Sequence, residues 1–268
     1  MRLLLVSDLH YSLPQFDWVV EVASDFDIVV MAGDHLEIGS TVDGRAQVAV
    51  VRKYFDRIRT KTKLFVCSGN HDLDSKNKAG EWTARWLVGR PNDGILTDGE
   101  STLVDDTLFT SCPWWDGPAS QEEIGQQLEQ AAKDRPNRWI WIYHAPPAKS
   151  PIAWSGQRYF GDEALGRWIE EYQPDIVMCG HVHEAPFASD GSWVDRIGAT
   201  WVFNTGHYFG VPPAHVILDT HAQEAVWFSA AGAQSVRLTE ALTRPVPNLH
   251  ALPEWLKDGD PSPAPDQA

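Results

Sequence analysis

Along the first two thirds of the chain, apolar runs of four or five residues alternate with longer stretches whose apolar positions recur every three or four residues. The runs Arg2–Val6, Asp27–Met31 and Lys63–Cys67 have the length of buried strands, and Gln15–Ala23 and Ala46–Arg59 between them read as amphipathic helices. This β-α-β-α-β start predicts right-handed crossovers and a largely parallel sheet. Thr102–Val104 and Thr107–Thr110 flank Asp105 and Asp106 as a hairpin. Ser120 and Glu123 read as a capping box that opens a helix running to about Lys133. Trp139–Tyr143 is another strand. Asp162 is placed to cap a helix on which Leu165, Trp168, Ile169 and Tyr172 share one face, and Asp175–Cys179 is a buried strand. The stretch from Ser192 to Phe228 holds three or four short strands without helices, which predicts a second, mostly antiparallel sheet. From about Thr243 the chain turns Pro-rich and ends DGDPSPAPDQA. The expectation is a domain over 1–242 and a flexible tail over 243–268.

Composition narrows the setting. A chain of 268 residues is long enough for one domain with a sizeable core. No apolar run approaches the ~20 residues of a membrane helix. The opening MRLLLVSDLH lacks a signal peptide's long apolar centre and reads as a first strand. The three cysteines, Cys67, Cys112 and Cys179, are odd in number and scattered, which argues against a disulfide framework and for a reducing cytoplasm. A formal charge of -15 gives no general attraction to nucleic acid or an anionic membrane. The basic run from Arg52 to Lys63 reads as a solvated helix face. Thirteen tryptophans are expected in the core or along a groove.

Residues with metal-binding or proton-transfer chemistry gather where the apolar runs end. Asp8 and His10, two apart, fall on one face of extended chain after the first run. Gly33 and Asp34 end the second run, and Asn70, His71 and Asp72 follow the third. His144 follows WIWIY, and His181 and His183 follow DIVMC. In open α/β sheets, ligands bind in the crevice beyond the carboxyl ends of the strands, so five strand ends on one sheet edge can converge on one small volume. The donors are nitrogen and oxygen, with no cysteine in any cluster. That set suits two borderline or hard divalent cations (Mn, Fe, Zn or Mg, with Mn the ion expected in vitro) and not a closed thiolate zinc site. Two such ions at about 3.5–4 Å need one ligand to bridge them, which a carboxylate can do, and the water held between them has its pKa lowered from 15.7 towards about 7.

These blocks, Asp8-x-His10, Gly33-Asp34, Gly69 to Asp72, His144 and Gly180-His181-x-His183, resemble the five ordered blocks of the calcineurin-like metallophosphoesterases. The resemblance implies an αββα sandwich of two mixed sheets between helices, with the site at a sheet edge. It implies that Asp8, His10 and His183 hold one metal, that Asn70, His144 and His181 hold the other, and that Asp34 bridges. His71 would stay off the metals and assist the leaving group or steady the phosphate, and Asp72 would orient His71. The implied reaction is attack of a metal-bridging hydroxide on a small phosphomonoester or phosphodiester, nucleotides and cyclic nucleotides included. A nuclease of the same family and a non-catalytic scaffold of the same fold are the alternatives. Where an iron-tyrosine subgroup carries Tyr, this chain has Glu37, which argues against a tyrosinate-bound ferric ion. His35, His207 and Arg158 are candidate substrate contacts, and His35 has an equal claim to a structural place. Trp114 and Trp115 read as core-closing aromatics with a stacking wall as the second option. Oligomeric state is not legible from the sequence.

Overall fold

A strand covered on both faces needs apolar side chains on both, and the runs IVVMA and KLFVC are of that kind. The computed structural model describes residues 1–88, 94–133 and 135–257. In chain order the first half comprises β1 (Arg2–Val6), α1 (Leu13–Val22), β2 (Ile28–Ala32), α2 (Gly44–Arg59), β3 (Lys63–Cys67), β4 (Ser75–Lys76), β5 (Trp82–Thr83), β6 (Ile95–Leu96), β7 (Ser101–Val104) and β8 (Thr107–Ser111). The second half comprises α3 (Pro118–Lys133), β9 (Arg138–Ile142), α4 (Glu163–Tyr172), β10 (Ile176–Cys179), β11 (Val194–Ile197), β12 (Thr200–Asn204), β13 (His215–Asp219), β14 (Glu224–Ser229), β15 (Gly232–Arg237) and α5 (Glu254–Lys257).

Two mixed sheets carry the fold. The first runs β15-β14-β13-β1-β2-β3-β6, and the second runs β11-β12-β10-β9-β8-β7. Each has four parallel strands: β1, β2, β3 and β6 in the first, and β12, β10, β9 and β8 in the second. Antiparallel strands complete the edges. Phe65, Ile142, Met178, Trp193 and Phe203 pack between the sheets. Phe16, Val51 and Phe55 from α1 and α2 cover the outer face of the first sheet, and Ile124, Leu128, Leu165 and Ile169 from α3 and α4 cover that of the second. The expected αββα sandwich is the architecture observed.

Three expectations change. The strands after Ser192 do not make a sheet of their own. β12 pairs in parallel with β10 (Met178 opposite Phe203), whereas β13 pairs antiparallel with β1 (Leu4 opposite Ile217). Both sheets would otherwise end in an open backbone edge there, and dividing the strands covers both. The capping box at Ser120 is not formed either. The helix starts two residues earlier, at Pro118, and Glu81 beside β5 accepts from the Ala119 and Ser120 backbone N–H groups at 2.9 and 2.7 Å. Asp162 does cap α4, accepting from Ala164 N. Lastly, residues 243–257 do not hang free. Val246 is buried, Arg244 bonds to Val194 O and Asp195, and Leu249 N donates to Ala233 O. The rest of the expected tail, 258–268, lies outside the described residues.

The basic run is largely engaged: Arg57 pairs with Asp17, and Lys61 Nζ donates to Val20 O. The three cysteines are buried and unpaired. Among the described residues no helix is long and apolar enough to cross a membrane.

Candidate metal centre

The five polar blocks come from both sheets, three on the ends of β1, β2 and β3 and two on the ends of β9 and β10. The expectation of one sheet edge is therefore corrected to two edges that face each other across the sandwich. The loops after β1 and β2 are zipped by Asp8 N to Gly33 O, His10 N to Asp34 O and Tyr11 N to His35 O, each at 3.0 Å. Asp8, His10, Asp34 and His181 all lie at positive φ, between 43° and 72°. Non-glycine residues rarely adopt that backbone, and it turns the side chains inward off the strand ends. Close approach also explains two glycines. A Cβ on Gly69 would sit 2.2 Å from Asp34 Oδ1, and one on Gly180 would sit 2.4 Å from Asp8 Oδ2.

Three donor groups result: two share Asp34, and the third comprises His10, Glu37 and His71. Asp8, His10, Asp34 and His183 each offer an atom within 4.8 Å of the others, and so do Asp34, His144 and His181. His183 Nε2 lies 3.4 Å from Asp8 Oδ1, and His144 Nε2 lies 3.3 Å from Asp34 Oδ2. His144 Nδ1 donates to Ala32 O at 2.7 Å, which leaves Nε2 as the lone-pair nitrogen facing the carboxylate. That Nε2 and Asn70 Oδ1 are buried and, among the described residues, have no hydrogen-bond partner. Buried polar atoms are rarely left so, and an oxygen, nitrogen and carboxylate set of this composition fits a divalent cation.

The charges at the floor are strongly coupled. Burial opposes the Asp8 carboxylate, yet His183 and His144 hold it far below the usual carboxylate range. Burial likewise opposes Asp34, and His144 draws it down to about 2. Burial alone would lower His144, but Asp34 and Asp8 outweigh it and raise the ring to about 9. His181 is pushed to about 4 by burial and by the neighbouring His144. A cation bound by these groups must displace the His144 proton, because histidine ligates as the neutral ring.

The other expected residues divide. His71 stands beside the first donor group, its ring centroid 4.6 Å from that of His10. His71 Nδ1 faces Ile38 N at 3.5 Å and Glu37 Oε1 at 3.8 Å, so Nε2 is the nitrogen left for a substrate. His207 joins the cluster, 4.8 Å from the His183 ring and 5.4 Å from His10, and is pushed to about 4, mainly by burial.

Asp72 does not hold the His71 ring. Asp72 N closes a turn onto Gly69 O at 3.2 Å, which tucks the carboxylate beneath the loop. There it accepts from Gly69 N, His35 N and Leu36 N at 2.8, 2.9 and 3.0 Å and pins the loops after β2 and β3 together. His35 takes the structural place that the sequence left open to it. The left-handed backbone at Asp34 carries it under the sheet, where it is 1% exposed, sits 2.9 Å from Cys67 O and packs against Phe55 and Trp86. Arg158 is on an exposed loop that folds on itself, with its guanidinium 4.2 Å over the Phe160 ring. Among the described residues it makes no contact with the cluster.

Trp114 and Trp115 part company. Trp114 packs 5.4 Å from His181 and 5.7 Å from His144 and walls the site, whereas Trp115 Nε1 bonds to Tyr143 and Asp162 in the core. Two residues that no motif marked also reach the cluster: Glu37, whose Oε2 is 3.2 Å from His10 Nδ1, and Ser7, which donates to Asp8 and touches Thr205 Oγ1 at 2.6 Å. Their position next to a ligand or a block was the one signal available.

Residues 1–185 match the calcineurin-like phosphoesterase family. No curated protein matches the chain. Protein TT1561 of Thermus thermophilus has a similar structure (TM-score 0.55, 14% identity, 88% of this chain and 98% of that one). So does purple acid phosphatase PPD1 from yellow lupin seeds (TM-score 0.52, 14% identity), of which 92% of this chain covers 52%. At these identities the likeness shows the fold alone. The family match spans every polar block described above, and the chain belongs to the calcineurin-like phosphoesterases.

Proposed function

We propose that the chain is a phosphoester hydrolase that uses two divalent cations and acts on small phosphomonoesters or phosphodiesters, nucleotides and cyclic nucleotides among them. The observation that carries this reading is the pair of donor groups sharing Asp34, with His71 beside them. Asp8, His10, Asp34 and His183 hold one cation, and Asp34, Asn70, His144 and His181 hold the other. Cations bound there supply Lewis acidity that activates water and neutralises phosphoryl oxygens.

The chain's own residues do the rest. His71, with Nδ1 turned to Ile38 N and Glu37, gives a proton through Nε2 to the departing oxygen. His207 closes the His183 side of the phosphoryl pocket, and Trp114 excludes water from the His181 side.

The test is hydrolysis of p-nitrophenyl phosphate and of its bis-ester with added Mn, before and after chelation, alongside metal content per chain. Turnover lost on chelation and restored by metal supports the reading. A chain that binds metal but turns over neither ester is a scaffold. Preference for one ester separates phosphatase from phosphodiesterase.

A further inference from the structure

We propose that the leaving group of the substrate lies in the cleft beside His71 and carries a second anionic group, which Arg45 and Arg85 bind. The inference rests on the hydrolase reading above. The cleft has a volume of about 1000 Å³, and its walls include His71 and Glu37, so it opens directly off the side from which a proton is delivered. A volume of that size takes a whole drug-sized ligand, far more than a bare phosphate or a small alcohol requires. Leu36, Val48, Leu73 and Trp86 give it an apolar floor that suits a ring or hydrocarbon body.

The cleft is built in advance. Gln47, buried on α2, accepts from Glu37 N at 2.8 Å and donates to Glu37 O and Val42 O at 3.0 and 2.9 Å, which fixes the loop forming one wall. Arg52 Nη2 holds Trp86 O on the opposite wall at 2.6 Å, and Arg52 Nε is buried there without a partner.

The charges point to an anion. In a chain of formal charge -15, Arg45, Arg52 and Arg85 all line this one cleft. The side chains of Arg45 and Arg85 are exposed and make no ion pair or hydrogen bond among the described residues. Three carboxylates line the cleft as well, but two are committed. Glu37 faces His10 and His71, and Asp43 caps α2 by accepting from Arg45 N at 3.0 Å. Three guanidiniums and three carboxylates therefore balance in formal charge, and the attraction for a phosphate or carboxylate on the departing alcohol is local to the unengaged side chains of Arg45 and Arg85.

The experiment compares pairs of substrates that differ only in a second phosphate on the leaving group. Adenosine 3′,5′-bisphosphate is set against adenosine 3′-phosphate, and dithymidylate with its 5′-terminal phosphate against the same dinucleotide without it. Products are separated by chromatography in the Mn-loaded protein. In whichever pair is turned over, the doubly anionic member should have a kcat/KM at least about tenfold higher, the size of one charge-assisted contact. In Arg45→Ala/Arg85→Ala that ratio should fall towards one. A ratio near one in the unaltered protein, or one unchanged in the double variant, overturns the cleft assignment while the turnover itself upholds the hydrolase. If no ester is hydrolysed although metal is bound, the hydrolase reading fails and takes this inference with it.

Discussion

Asp8, Asp34 and His144 at the floor of the site are at most 2% exposed, and loops zipped from two sheets hold them. At the mouth, Ile38 is 69% exposed, Arg45 and Arg85 are exposed, and a single loop and the start of one helix supply most of the wall. The floor concentrates opposed charges in a low-dielectric space, where a small displacement changes every interaction at once. At the mouth, each contact is screened by water and can change without disturbing its neighbours. Under the proposed function, the contrast would put cation binding and bond cleavage at the floor and choice of substrate at the mouth.

The comparison breaks most directly at Asp34. Asp34→Ala should strip metal from both donor groups and lower kcat/KM by more than about 100-fold, since even partners one layer out typically cost 10–100-fold. Full activity with metal retained would refute the shared-ligand assignment. His71→Ala should lower kcat by roughly 10²–10⁴-fold, the usual worth of a general acid, with metal content unchanged. Loss of metal instead would make His71 a ligand.

Two further substitutions sharpen the boundary by acting on stability. His35→Ala should cost roughly 2–4 kcal/mol by chemical denaturation, through lost packing on Phe55 and Trp86, while kcat of the folded protein holds within about threefold. A variant of full stability and poor turnover would return His35 to the substrate.

The smallest effect concerns Asp98, buried behind the site, with Oδ1 accepting from Ser68 N at 2.8 Å and Oδ2 without a partner. Burial lifts its carboxyl from 3.8 to about 7. A folded-state pKa raised above the unfolded value gives stability that is full below the lower value and lost as pH rises through the higher one. In metal-stripped protein the Asp98 contribution should therefore fade between about pH 4 and 7, by on the order of 1–3 kcal/mol. Asp98→Asn should remove that slope, so its melting temperature should gain on the unaltered protein's as pH rises. A constant gap would mean that Asp98 stays ionised.

Much of the floor was legible because its requirements are local. A fully covered strand must be apolar along its length, and a ligand at its end must be polar, so IVVMA followed by Gly33 and Asp34 announces both facts together. Asp72 is turned away from the His71 ring, and His35 takes the structural place that the sequence left open, for a related reason. Both adjoin ligands, but the turn closed on Gly69 and the left-handed backbone of Asp34 reverse the directions that an extended chain would give them. Glu37 carried no motif, and only the loop clamped by Gln47 brings it to His10 and His71.

By itself, then, the sequence determined most strands and helices, the family and the candidate donor residues, since burial and coordination chemistry act on residue types and short spacings. The tertiary structure decided which sheet each late strand joins, that the donors meet across two facing sheets, and that Glu81 caps a helix far downstream of it in the chain. It also decided that Arg45 and Arg85, unpaired among the described residues, line one cleft with His71. These outcomes depend on which open edge or unsatisfied group lies nearest in space, and that is set by the packing of all the elements together.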